Sequence, residues 1–146
     1  MADRAVSTAL GYVLGLAIIT AMVTGLFITT NEVVSDERER AIRSELRVLG
    51  NRVAADVTTV DRLALSADRA RARLQRDLPN TVAGSSYRVR LTHDGSGPAT
   101  IELTTSSPDV TVTVGVANGT AVGNSTVSGG DVVVRYDGSA VVIERA

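Results

Sequence analysis

Ala5-Val-Ser-Thr-Ala-Leu-Gly-Tyr-Val-Leu-Gly-Leu-Ala-Ile-Ile-Thr-Ala-Met-Val-Thr-Gly-Leu-Phe-Ile-Thr-Thr-Asn31 carries no charged side chain. As a helix rising 1.5 Å per residue, such a run spans roughly 40 Å, more than the ~30 Å hydrocarbon core of a bilayer. The reading is a transmembrane helix over residues 6–34, entered almost at once from Met1. Of 146 residues, about 110 follow the run, enough for one small domain. The expected fold class is therefore α+β: a long N-terminal transmembrane helix, then a small antiparallel sheet.

Small residues recur along the apolar run. Ser7, Gly11 and Gly15 form one row at four-residue spacing, and Ala17, Ala21 and Gly25 another. Gly11-Tyr-Val-Leu-Gly15 is a GxxxG, which lets helix backbones approach closely. Glycine costs about 1 kcal/mol against alanine inside a helix, and close packing would offset that. The plainer reading is that glycine is common in membrane helices.

Downstream of the run the pattern turns amphipathic. Ile42, Leu46, Leu49, Val53, Val57 and Val60 recur at spacings of three and four, while Glu37, Arg38, Glu39, Arg40, Arg43, Glu45, Arg47 and Arg52 lie between them. One apolar stripe with a wet, mixed-charge remainder is the signature of a helix packed on one side. Asp36 with Arg40 and Glu39 with Arg43 have the favourable acid-then-base order at i,i+4. Between Arg71 and Leu78 two patterns compete, since Ala70, Ala72 and Leu74 alternate with Arg71, Arg73 and Gln75. Propensity favours helix there, so the expected stalk runs over residues 35–78.

Residues 84–146 read as an antiparallel β domain. Tyr87-Arg-Val-Arg-Leu-Thr92, Thr100-Ile-Glu-Leu-Thr104, Val110-Thr-Val-Thr-Val114, Val132-Val-Val-Arg-Tyr136 and Ala140-Val-Val-Ile-Glu144 supply five strands. Asp94-Gly-Ser-Gly-Pro98 and Asp137-Gly-Ser-Ala140 are hairpin turns by their Asp-Gly pairs. The Gly-, Asn-, Ser- and Thr-rich stretch 118–130 reads as a long loop or a weak edge. An isolated sheet of this size is marginal, and the stripe from Ile42 to Val60 is the obvious cover for its apolar face.

Composition excludes several functions. There is no cysteine, hence no disulfide framework, Cys-based zinc site or thiol nucleophile. The net charge of −1 argues against a generic nucleic-acid binder, and the only aromatic residues are Tyr12, Phe27, Tyr87 and Tyr136. His93 is the only histidine and has no second imidazole for a metal. Asp109, Asp131 and Asp137 stand in turns, where a short carboxylate bonds its own backbone. No catalytic constellation, cofactor or small-molecule substrate is expected. Asn118-Gly-Thr120 and Asn124-Ser-Thr126 are acceptor triplets for N-glycosylation.

Asp3-Arg-Ala-Val-Ser-Thr-Ala-Leu-Gly11, followed by the long apolar helix, resembles the N-terminus of archaeal type IV pilins, especially the haloarchaeal pilin-like proteins. Two departures are visible: Thr8 stands where many of those pilins have proline, and no glutamate occurs early in the helix. The resemblance implies a leader over residues 1–5, cleaved by a prepilin peptidase after Ala5 so that Arg4, Ala5 and Val6 frame the cut. It also implies helix-mediated assembly with other pilin-like subunits, a β domain outside the cell and a surface or adhesive role. Arg38, Arg40, Arg43 and Arg47 would by themselves hold the C-terminal flank in the cytoplasm; the resemblance and the two Asn triplets place it outside. The alternative is a single-pass anchored binding or regulatory module that never polymerises.

Overall fold

Helix α1 (Ala2–Ser66) is followed by eight short strands. The computed structural model describes the backbone of residues 2–66, 71–95 and 97–146, and within α1 the side chains of residues 9–25 and 34–66. The chain divides into two units, Met1–Arg38 and Glu39–Ala146, and α1 contributes to both.

In the first unit the uninterrupted apolar run with described side chains is residues 9–25. Among the described residues no helix is long and apolar enough to cross a membrane. This corrects the expectation of a transmembrane helix over 6–34, and with it the reading of a membrane protein placed by a single pass.

In the second unit Ile42, Leu46, Leu49, Val53, Val57, Val60 and Ala64 are all buried, at successive spacings of three or four. The stripe packs into one cluster with inward residues of the sheets, among them Val89, Leu91, Ile101, Leu103, Val134 and Ile143. Each fully buried aliphatic side chain contributes roughly 1.5–3 kcal/mol relative to exposure. Gly50 interrupts the run of good helix formers where the sheet leaves little room for a side chain. A Cβ at this position would sit 2.9 Å from both Leu103 Cδ1 and Val114 Cγ2.

The helix ends at Ser66, not at residue 78. Arg73–Arg76 is strand β1, pairing antiparallel with a later strand through Leu74↔Val134 and Gln75↔Val133. Alternation beats propensity at this point. Ala72 and Leu74 lean on the core, and Arg76 forms a two-pronged bond to Asp56, Nε to Oδ2 at 2.7 Å and Nη2 to Oδ1 at 2.5 Å. Asp56 is buried on α1, so this ion pair ties the strand to the helix.

Two antiparallel sheets replace the single sheet expected over 84–146, and β1 and β2 (Thr81–Val82) lie before that boundary. β3 (Ser85–Thr92), β4 (Ala99–Ser106) and β5 (Asp109–Val116) form a meander in the order β2-β3-β4-β5. β6 (Ser125–Ser128) joins β3 beside β2, because β2 occupies only Ser85 and Ser86 of that edge and leaves Arg88 to Leu91 free. β7 (Val132–Tyr136) and β8 (Val141–Arg145) make a hairpin in the order β1-β7-β8. Stretch 118–130, read as loop or weak edge, becomes a staple between the sheets. Val141 N–H donates to Ala121 O at 2.8 Å and Gly123 N–H to Val141 O at 2.9 Å, and β6 then continues onto β3.

The expected Asp-Gly turn is built at β7–β8. Gly138 takes φ 104°, a conformation open to glycine. Asp137 Oδ1 accepts from Ala140 N at 2.9 Å, Ser139 N at 2.8 Å and Ser139 Oγ at 2.8 Å. These bonds to the charged form, led by the Ala140 and Ser139 amides, hold its pKa down to about 2.

Candidate functional site

The candidate site with most substance is the surface of α1 over residues 9–25. Leu10, Tyr12, Val13, Leu14, Leu16, Ile18, Ile19, Met22 and Val23 are all exposed, Tyr12 by 75% and Met22 by 72%. At 3.6 residues per turn these side chains surround the helix, a pattern normally found where a helix is buried on every side. Hydroxyls within the run are satisfied locally, Thr20 Oγ1 donating to Leu16 O at 2.9 Å and Thr24 Oγ1 to Thr20 O at 2.8 Å. These two threonines therefore add little affinity for water.

Helical geometry brings the two small-residue rows onto one half of the helix, with Gly11 and Gly15 beside Ala17, Ala21 and Gly25. A Cβ at Gly11, Gly15 or Gly25 would meet nothing within 4 Å. No contact of the described chain requires a glycine there, in contrast to Gly50. Arg4, Ala5 and Val6, framing the expected cleavage, belong to the stretch whose side chains lie outside the described residues.

The two acceptor asparagines have different environments. Asn118 is half-buried and fully engaged, Oδ1 accepting from Ala99 N at 3.0 Å and Nδ2 donating to Thr120 O at 2.9 Å. The rest of its triplet is held by Asp61 of α1. Gly119 N donates to Oδ2 at 2.9 Å, Thr120 N to Oδ1 at 2.8 Å, and the Thr120 hydroxyl also donates to Oδ1. This triplet thus locks a loop to a helix, a role hidden from the sequence because Asp61 lies far away in the chain. Asn124 is exposed, and its Oδ1 accepts from His93 N at 2.9 Å.

Burial pushes the Asp61 carboxyl up. The Thr120 hydroxyl, the Gly119 and Thr120 amides and the charge of Arg62 outweigh it, so its pKa lies below the ordinary aspartate value. His93 is half-buried, and its Nδ1 meets no hydrogen-bond partner among the described residues. Among the described residues no group of three His, Asp or Glu side chains gathers to hold a metal.

The outer face of the sheet is polar. A shallow cleft of about 560 Å³ there is lined by Ser86, Arg88, Thr104, Asp109, Ser128 and Arg145, among others. Arg88, Arg145 and Asp109 supply its charge, and among the described residues no hydrogen bond pairs a nucleophile with a base there.

No curated protein and no solved structure matches the chain. The model of DUF7266, a family of unknown function, matches residues 1–145, and the chain belongs to that family.

Proposed function

We propose that this chain is a structural subunit, similar in plan to type IV pilins, that assembles through the apolar surface of α1 with helices of like subunits. The observation that carries the reading is the collar of exposed aliphatic and aromatic side chains from Leu10 to Val23. A contiguous apolar patch of this kind marks an interaction site in a folded protein. Its occupant is best supplied by the same surface on another copy. Burying each large side chain against a neighbour contributes roughly 25 cal/mol per Å² removed from water, and the open space at Gly11, Gly15 and Gly25 lets two backbones approach. Processing after Ala5 by a prepilin-type peptidase belongs to the same reading.

Gly15→Leu tests it. The variant is expected to express and fold like the parent, because nothing within the described chain abuts that position, yet to lose higher-order assembly in sedimentation and electron microscopy. Assemblies of unchanged size and yield would overturn the packing argument.

A further inference from the structure

Among the described residues two edge strands, β1 and β5, are built differently. β1 is four residues long and carries Arg73 and Arg76, the second committed to Asp56. β5 is eight residues long, and from Val110 to Val116 it contains only valine, threonine and glycine. Natural edge strands are kept from pairing by shortness, charge, proline or bulges. β1 uses the first two devices, whereas β5 from Val110 onward uses none. Among the described residues β5 pairs with β4 alone, and no backbone bond outside the ladders reaches it.

We propose that β5 pairs with β5 of a second copy, antiparallel about a two-fold axis at Thr113, joining two five-stranded sheets into one. Facing residues of an antiparallel pair must point to the same side. Val110, Val112 and Val116 are buried while Thr111 and Thr113 are exposed, so valines must oppose valines. Centring on Thr113 sets Val112 against Val114, Val110 against Val116, and Thr111 against Gly115. It leaves Pro108, which has no N–H to donate, and Asp109 outside the paired stretch. Centring on Val112 would instead place Pro108 opposite Val116. Val114 is only partly buried within its own copy, and Val112 of the second copy would complete its cover. The interface is isologous, so it closes as a dimer and does not propagate. It is strand addition to a sheet edge with a second copy as the added strand, independent of α1.

The cysteine-free sequence makes the test clean, since each cysteine variant carries a single thiol. Facing Cα atoms in an antiparallel pair lie about 4.5–5.5 Å apart, within the range a disulfide spans. Full-length Thr113→Cys under mild oxidation is expected to run predominantly as a covalent dimer on a non-reducing gel. Thr126→Cys, exposed on the same face but on β6, is expected to stay monomeric. Thr111→Cys and Gly115→Cys are each expected to stay monomeric alone and to form a heterodimer when mixed. Register specificity separates this from copies gathered by their helices, which would cross-link without regard to position. A monomeric Thr113→Cys with no Thr111–Gly115 heterodimer, or cross-linking of Thr126→Cys to the same extent, would overturn the proposal.

Discussion

Residues 9–25 and residues 42–64 belong to the same helix and are both rich in aliphatic side chains, yet they meet opposite fates. In the second stretch seven apolar residues, Ile42, Leu46, Leu49, Val53, Val57, Val60 and Ala64, fall on one stripe and are buried against the sheets, while Val48 and Leu63 off the stripe stay exposed. In the first they surround the helix, and from Leu10 to Val23 they are exposed. Apolar content says how much surface must be hidden; periodicity says whether this chain's own sheet can hide it. A narrow stripe fits one partner layer, whereas a collar needs neighbours on several sides.

The largest effect expected from this contrast is in folding stability. Leu46→Ala removes a fully buried side chain and should cost about 2–5 kcal/mol by denaturant unfolding. Leu16→Ala, on the exposed collar, should stay within about 0.5 kcal/mol of the parent under conditions that prevent association. Equal losses would mean that the collar is packed within the folded chain, and the comparison would fail.

Glycines sharpen the same contrast at smaller magnitude. At Gly50 the helix approaches β4 and β5 too closely for a side chain. Gly50→Leu should therefore cost about 1–3 kcal/mol through overpacking. Gly50→Ala should cost less, because its new Cβ meets the methyl ends of Leu103 and Val114. Gly11→Ala meets nothing and should gain about 0.5–1 kcal/mol from helix propensity. Thermal unfolding of the three variants reads the difference in sign directly.

Much of the second unit was legible in the sequence. The stripe of period 3.6, the alternating runs and the Asp137-Gly138 turn all state locally what the fold uses. Arg73–Arg76 was misread because propensity and alternation conflict over only four residues. The deciding contacts, Val132 to Arg135 in register and Asp56 beneath Arg76, lie elsewhere in the chain. β6 was half-legible for a related reason. Ser125-Thr-Val-Ser128 has one inward valine, and its strand character comes from the free half of the β3 edge. The transmembrane reading rests on charge-free length alone, and among the described residues no helix is long and apolar enough to cross a membrane. At the collar, the small-residue rows could be read from spacing. That nothing within the described chain needs those glycines could not.

Asp61 gives a small effect, and the one with a pH signature. It is buried near the C-terminal end of the stripe and holds the Gly119–Thr120 amides. Losing the carboxylate frees amides that water can reach, so Asp61→Asn should cost only about 1 kcal/mol near neutral pH. The carboxyl's pKa is lowered in the folded protein, so above the unfolded value of about 3.9 it is charged in both states and its contribution is complete. As pH falls below that value the unfolded chain takes up the proton first. The stabilisation then drains away until the folded carboxyl is protonated as well. Wild type and Asp61→Asn should therefore differ by a constant amount from about pH 7 to pH 5 and converge below about pH 4. A gap that held or widened in acid would mean that Asp61 serves the loop by its shape, not by its charge. The Asn118–Thr120 lock would then need only a neutral acceptor.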